Sequence, residues 1–211
     1  MEKDKGVQTL KDPLFEIDPN AMEAPLNWDA ILGRTAPLAV EIGPGRGVSL
    51  VRTALAHPKF NFAAIEMRRK RVALCIEKLA RGGVTHVRLI RGRAEELIPK
   101  LFQPRSVSRW YICFPDPWPK RNHQRRRIIQ PAFVRTLANF TAPKGVVFLA
   151  TDVHEYGDQM LSCFESNGGW RNFFGKGRWT ESRPEECLTS YEEKYLRMRK
   201  VIRYYKFERC R

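Results

Sequence analysis

Residues 38–47 read Leu38-Ala39-Val40-Glu41-Ile42-Gly43-Pro44-Gly45-Arg46-Gly47. A short, mostly apolar run ends abruptly in three glycines at alternate positions. After it, Val48, Leu50, Val51 and Leu55 suit one face of a helix that stops at Pro58. Strand, glycine turn and helix open an α/β nucleotide-binding unit. The glycines let backbone approach a ligand with no Cβ in the way. The dinucleotide fingerprint needs glycine at its first, third and sixth positions. Here the glycines are 43, 45 and 47, and Val48 holds the sixth position. Glu41, at the strand end, would also repel a pyrophosphate. Both features disfavour NAD and favour a cofactor with a positive charge and no phosphate. S-adenosylmethionine, with a sulfonium, an ammonium and an adenosine, has that character.

The same alternation continues downstream. Phe60 to Ile65 reads as a second strand ending at Glu66, nineteen residues past Gly47. An acid at that distance is placed to accept hydrogen bonds from a ribose diol; the plainer role is a surface or capping glutamate. Met67 to Ala80 is an amphipathic helix, with Val72, Cys75, Ile76 and Leu79 on one face and Gly82-Gly83 as its stop. Arg68, Arg69, Lys70 and Arg71 crowd its start, where cations oppose the helix dipole; phosphate contact and a solvated face fit them equally. Val84 to Ile90 is a third strand, and the following turn, Gly92-Arg93-Ala94, is expected to meet the adenine. A helix follows to about Phe102, then a fourth strand over Arg109 to Phe114. Pro131 suits the first turn of the next helix, with Phe133, Val134 and Leu137 facing inward and Pro143-Lys144-Gly145 closing the unit. Val146 to Ala150 is a fifth strand ending in Thr151-Asp152. A helix over His154 to Glu165, a polar loop over Thr189 to Lys194, and a last strand within Lys200 to Glu208 complete the chain. Residues 1–25 read as a flexible or loosely docked arm, and 26–211 as a single domain.

With 211 residues, 43% hydrophobic, the chain can bury a full core. No apolar run is long enough to span a bilayer, and Met1 to Asp12 lacks the apolar centre of a signal peptide, so a cytoplasmic location is expected. Cys75, Cys113, Cys163, Cys187 and Cys210 are odd in number and widely spaced, and the four histidines have no ligand spacing. A disulfide framework and a metal site are therefore not expected. The net charge is +15. Residues 1–25 hold three Lys and six Asp or Glu, a net of −3, so the remaining 35 basic and 17 acidic residues carry +18. A body that basic attracts polyanions, and nucleic acid is the expected partner.

The most unusual stretch is FPDPWPKRNHQRRR, Phe114 to Arg127. Asp116 stands between Pro115 and Pro117 at the end of a buried strand. Trp118 follows, then five Lys or Arg within Lys120 to Arg127. One acid can hold a nucleobase edge-on while cations grip its backbone. The plainer alternative is a Pro-rich loop and a solvated helix. Trp118 suits base stacking and core packing equally.

Together these residues resemble the tRNA (guanine-N7-)-methyltransferase family, from about Leu38 to Phe207. The specific parts are FPDPWPK (114–120) with its basic run, Ala150-Thr151-Asp152, and the T-x-Y-E stretch (189–192) with Lys194. The resemblance implies a doubly wound, mostly parallel seven-stranded sheet with helices on both faces, a Rossmann-like class I methyltransferase. It implies that Glu41, Gly43, Gly45, Gly47, Glu66, Arg93, Ala94 and Asp116 surround S-adenosylmethionine, with Asp116 catalytic. Lys120, Asp152, Thr189, Ser190, Tyr191 and Glu192 would hold the guanosine. Asn122, His123, Gln124, Arg125, Arg126 and Arg127 would touch RNA, and the target would be a guanine in the variable loop of tRNA. The sequence departs from the family at two positions. Arg93 stands where an acid or amide is usual, leaving adenine to backbone groups or to stacking on the arginine. Asn122 stands where Arg is usual, a loss that Arg121 and Arg125 can offset. Two alternatives compete: a non-catalytic RNA-binding protein that keeps the cofactor pocket, and a methyltransferase acting on another RNA guanine.

Overall fold

A computed structural model describes residues 15–183 and 189–210. The strands are β1 (Glu16–Ile17), β2 (Leu38–Ile42), β3 (Asn61–Glu66), β4 (Val87–Arg91), β5 (Val107–Cys113), β6 (Thr141–Thr151), β7 (Trp170–Asn172) and β8 (Arg203–Arg209). They form one sheet in the order β1-β4-β3-β2-β5-β6-β8-β7. Strands β1 to β6 pair in parallel, and β8 runs antiparallel to both β6 and β7. The helices are α1 (Trp28–Leu32), α2 (Val48–Ala56), α3 (Arg69–Arg81), α4 (Ala94–Leu101), α5 (Pro131–Phe140), α6 (His154–Glu165) and α7 (Ser190–Arg197). Chain order reverses at β2, whose neighbours are β3 and β5. A crevice at the carboxyl ends of β2 and β5 is where such a sheet binds ligands.

The parallel strands are buried on both faces, which is why they read as apolar runs rather than as alternation. One core layer holds Val40, Ile65, Trp110, Ile112 and Leu149 against Ile98, Val134, Tyr156 and Phe164. The other holds Ala39, Phe62, Leu89 and Phe148 against Leu50, Val72, Cys75 and Leu79 of α2 and α3.

The sheet has eight strands, not seven. The additional strand, β1, comes from the segment read as an arm: Glu16 and Ile17 lie beside Leu89 and Ile90, and Phe15 is buried. Residues 1–14 of that segment lie outside the described residues. Pro143-Lys144-Gly145 does not end a unit. It lies inside β6 as a bulge, because Val107 faces Thr141 while Arg109 already faces Val146. Thr189 to Lys194 is not a loop. Thr189 caps α7 through a capping box: its hydroxyl accepts from the Glu192 amide, and the Glu192 carboxylate accepts from the Thr189 amide.

Candidate active site

A cavity of about 660 Å³ opens at the carboxyl ends of β2, β3, β4 and β5. Of the residues singled out from sequence, Gly43, Glu66, Arg93, Ala94, Asp116, Arg125 and Arg126 line it. Glu66 ends β3 nearly buried, accepting from the amides of Arg68 at 2.9 Å and Gly45 at 3.3 Å. Arg71, one turn into α3, lies 3.8 Å from the same carboxylate. The basic start of α3 is thus tied in part to the site. Gly43 and Gly45 sit at φ +73° and +60°, with open space where a Cβ would stand. Gly47 has a different constraint: its φ is +77°, and a Cβ there would come within 2.9 Å of Cys75 on α3. It seats the glycine turn against that helix.

Asp116 is exposed at the edge of the cavity. The backbone on both sides of it is unusual. Phe114 (φ 52°) and Trp118 (φ 43°) both occupy the left-handed region, costly for bulky residues and concentrated at functional sites. Several contacts over-determine this turn. The Phe114 amide donates to the Ala150 carbonyl at 2.8 Å, and its ring stacks on Tyr191 at 6.0 Å. Trp118 is half-buried, edge-on to His123, with the Arg126 guanidinium 5.1 Å over its ring. It is therefore a cavity wall and not a core residue.

Arg127, expected to touch RNA, is instead buried in the fold. It is 2% exposed. Its Nε donates to the Pro117 carbonyl at 2.7 Å, one Nη donates to Gln159 at 2.7 Å, and the guanidinium covers the Tyr156 ring. It pins the Asp116 turn to α6. Gln124 bonds Glu155 on the same helix. His123 is half-buried against Trp118, while Asn122, Arg125 and Arg126 are exposed.

The Ser190 side chain lies outside the described residues, and the other expected site residues lie outside this cavity. Lys120 is exposed at the head of a 3-10 helix, Arg121–Arg126. Asp152, after β6, pairs with Lys200 at 3.4 Å. Thr189 and Glu192 are buried inside their own cap, and Tyr191 reaches the site through its stack on Phe114. Arg93 faces the cavity while bridging to Glu95 at 3.1 Å and Glu96 at 3.3 Å.

Glu41 is 4% exposed and does not line the cavity. Burial raises its pKa to about 8, partly offset by the Arg183 charge and a Ser49 hydrogen bond, with Glu192 adding to the rise. The folded protein therefore keeps a proton that the unfolded chain releases near the ordinary carboxyl value. Stability falls as pH rises from that value to about 8. Glu41→Gln is expected to remove this loss, up to about 1.4 kcal/mol per pH unit. Urea unfolding at several pH values between 5 and 8 checks it; parallel curves for wild type and variant would discard the assignment.

Arg183 is the residue that sequence reasoning missed. It bonds the fully buried Glu192 carboxylate, which also accepts from the Tyr204 hydroxyl at 2.8 Å. One guanidinium thus serves acids from β2 and α7. No spacing rule links positions 41, 183 and 192. Among the described residues no cluster of His, Cys, Asp and Glu suits a metal ion, and no helix is long and apolar enough to cross a membrane.

A family model described as "Putative methyltransferase" matches residues 35–204. A Hydrogenovibrio crunogenus protein named tRNA (guanine-N(7)-)-methyltransferase is 36% identical over 82% of this chain and 72% of its own length. One of the same name from Myxococcus xanthus is 37% identical, covering 82% and 84%. Among solved structures, the 16S rRNA methyltransferase KamB superposes with a TM-score of 0.65 at 15% identity, over 90% of this chain and 95% of that one. TrmN from Thermus thermophilus gives 0.57 at 16%, over 86% and 47%. These two show the fold.

Proposed function

Because the chain belongs to the tRNA (guanine-N7-)-methyltransferase family, we propose that it transfers a methyl group from S-adenosylmethionine to N7 of a guanine in the variable loop of tRNA. The observation that carries this reading is that Asp116 lines one cavity with Glu66, Gly43 and Ala94. That cavity suits the cofactor. Gly43 and Gly45 leave room along the backbone, and the Glu66 carboxylate can accept from a ribose diol. Arg93 supplies an aliphatic and planar surface at the adenine end. When bound, S-adenosylmethionine supplies a methyl group already activated on a sulfonium.

Guanine N7 is an acceptor lone pair without a proton, so the chain needs no general base. Its task is alignment, worth about 7–11 kcal/mol when reacting atoms are held near 3–3.5 Å. Asp116 can accept from guanine N1–H and the exocyclic amine, fixing the base and favouring the cation that forms. Trp118 and the Phe114–Tyr191 stack bound the place where the base enters. Arg125 and Arg126 at the rim meet phosphates, and the work is done in the cytoplasm, where tRNA is.

Tritiated methyl transfer to bulk tRNA, followed by chain cleavage at 7-methylguanosine, tests the function; label elsewhere or none rejects it. Arg125→Ala with Arg126→Ala is expected to weaken tRNA binding and to flatten the slope of log affinity against log salt by about 1.5, as two lost phosphate contacts would. An unchanged slope would move these arginines off the RNA.

A further inference from the structure

The sheet ends beyond β8 in β7, and the chain leaves β7 through a short hairpin, residues 173–178, before it returns beside Tyr204 at Thr180. The hairpin reads Phe173-Phe174-Gly175-Lys176-Gly177-Arg178. Phe173 is 56% exposed. Single exposed apolar residues are ordinary on a protein surface, but the backbone that carries this one is closely tied. The Phe173 amide donates to the Lys206 carbonyl at 2.9 Å, and the Phe174 amide donates to Asn172 Oδ1 at 3.0 Å. Asn172 Nδ2 donates to the Arg178 carbonyl at 3.0 Å and to the Glu165 carboxylate at 2.9 Å. The same carboxylate accepts from the Gly177 amide at 2.7 Å. The Phe173 ring is edge-on to Phe174 at 5.5 Å, with the Lys206 ammonium 4.4 Å from its centroid. A ring fixed in this way loses little freedom when a ligand covers it.

The hairpin also carries charge of one sign: residues 166–180 hold three cations and no acid. Arg171 is paired with Glu208 at 2.8 Å, and Glu165 is engaged by the hairpin's own donors. Lys176 and Arg178 are exposed, and neither makes an ion pair with a described residue. An exposed aromatic ring beside two available cations suits an unstacked base and its phosphates. A second copy of this chain, with the same net charge of +15, would be repelled. We infer, on the tRNA reading above, that this hairpin is a second RNA contact. Phe173 stacks on an unpaired base of the tRNA away from the methylated guanine, and Lys176 and Arg178 take the neighbouring phosphates. Strands β5, β6, β8 and β7 lie side by side. The hairpin therefore stands three strand spacings, on the order of 15 Å, to the side of β5 and the catalytic cavity. The base it takes is a different nucleotide from the one in the active site. Stacking accepts any base, so the contact adds affinity and position without reading sequence.

The test compares wild type with Phe173→Ala, Phe173→Trp, and Lys176→Gln with Arg178→Gln, each checked for an unchanged melting temperature. Phe173→Ala is expected to raise KM for tRNA about tenfold with kcat retained and the salt slope unchanged, since stacking involves no counterion. Phe173→Trp keeps a stacking ring and is expected to behave as wild type. The glutamine pair is expected to raise KM and to flatten the slope of log affinity against log salt by about 1.4, as two lost single-strand phosphate contacts would. Equal KM for wild type and Phe173→Ala overturns the contact, and so does a loss in Phe173→Trp as large as that in Phe173→Ala. Phe173→p-benzoylphenylalanine, irradiated with tRNA bound, reports the occupant directly. Attachment to a nucleotide other than the methylated guanine is expected. Attachment only to that guanine, only to a second copy of the chain, or to no RNA overturns the assignment. Wild type that neither binds nor methylates tRNA refutes the functional reading and this contact together. Wild type that methylates tRNA with Phe173→Ala its equal refutes the contact alone.

Discussion

Asp116→Ala is expected to lose methyl transfer by at least a hundredfold in kcat while keeping S-adenosylmethionine and tRNA binding within a few fold. The side chain is exposed at the cavity edge, so its removal leaves no buried hole. The turn that presents it is held by other groups: Arg127 on the Pro117 carbonyl and the Phe114 amide on Ala150. What disappears is the acceptor that orients the base. Misplacing a reacting atom by about 1 Å can itself cost a hundredfold. Asp116→Asn is the sharper variant, because it keeps the shape and exchanges half of the acceptor for a donor facing the guanine N–H groups. Single-turnover rates at saturating cofactor and tRNA decide the matter. A rate equal to wild type in either variant would remove Asp116 from the reaction.

Arg183→Met is the second large effect, and it acts on the fold around the site. Glu192 is fully buried, and the Arg183 side chain is 14% exposed. Taking away the guanidinium leaves the buried carboxylate, among the described residues, with the Thr189 amide and the Tyr204 hydroxyl. Breaking such a pair from one side costs about 3–5 kcal/mol. At this chain length that lowers the melting temperature by roughly 10 °C. Glu41 loses its largest favourable charge as well, so its pKa should rise further. Replacing both partners, Arg183→Met with Glu192→Leu, is expected to recover much of the loss, since an apolar pair of similar volume carries no unpaired charge. Calorimetric melting of the two single variants and the double variant forms the cycle. Additive losses would mean that the two side chains do not support one another. Because α7 carries Tyr191 toward Phe114, the same variant should also raise KM for tRNA.

Little of the Arg183 cluster is legible in the sequence, whereas the Asp116 turn largely is. The difference is one of range. Strand, glycine turn and helix recur along the chain because each βα unit satisfies its backbone within a few residues, and the acids at the strand ends follow in register. Spacing assigns Glu66 to the crevice and the family resemblance assigns Asp116 to it, and both line the cavity. Glu41 obeys the same rule yet is buried away from the cavity, hydrogen-bonded to Ser49 and within the fields of Arg183 and Glu192. The short β1 pair carries too little pattern to be read locally, and its strand character comes from the β4 edge it completes.

Residue type and spacing thus determined the alternating α/β order, the glycine turn, the acid between two prolines and the excess of cations on the body. Those features depend on steric and periodic rules that act over a few residues. Tertiary structure decided which cations are available to a ligand. Arg127 is consumed inside the fold by Pro117, Gln159 and Tyr156, while its neighbours Arg125 and Arg126 stay exposed at the rim of the cavity. Burial and convergence depend on how the β5–β6–β8 ladder brings distant segments together, and no local pattern encodes that.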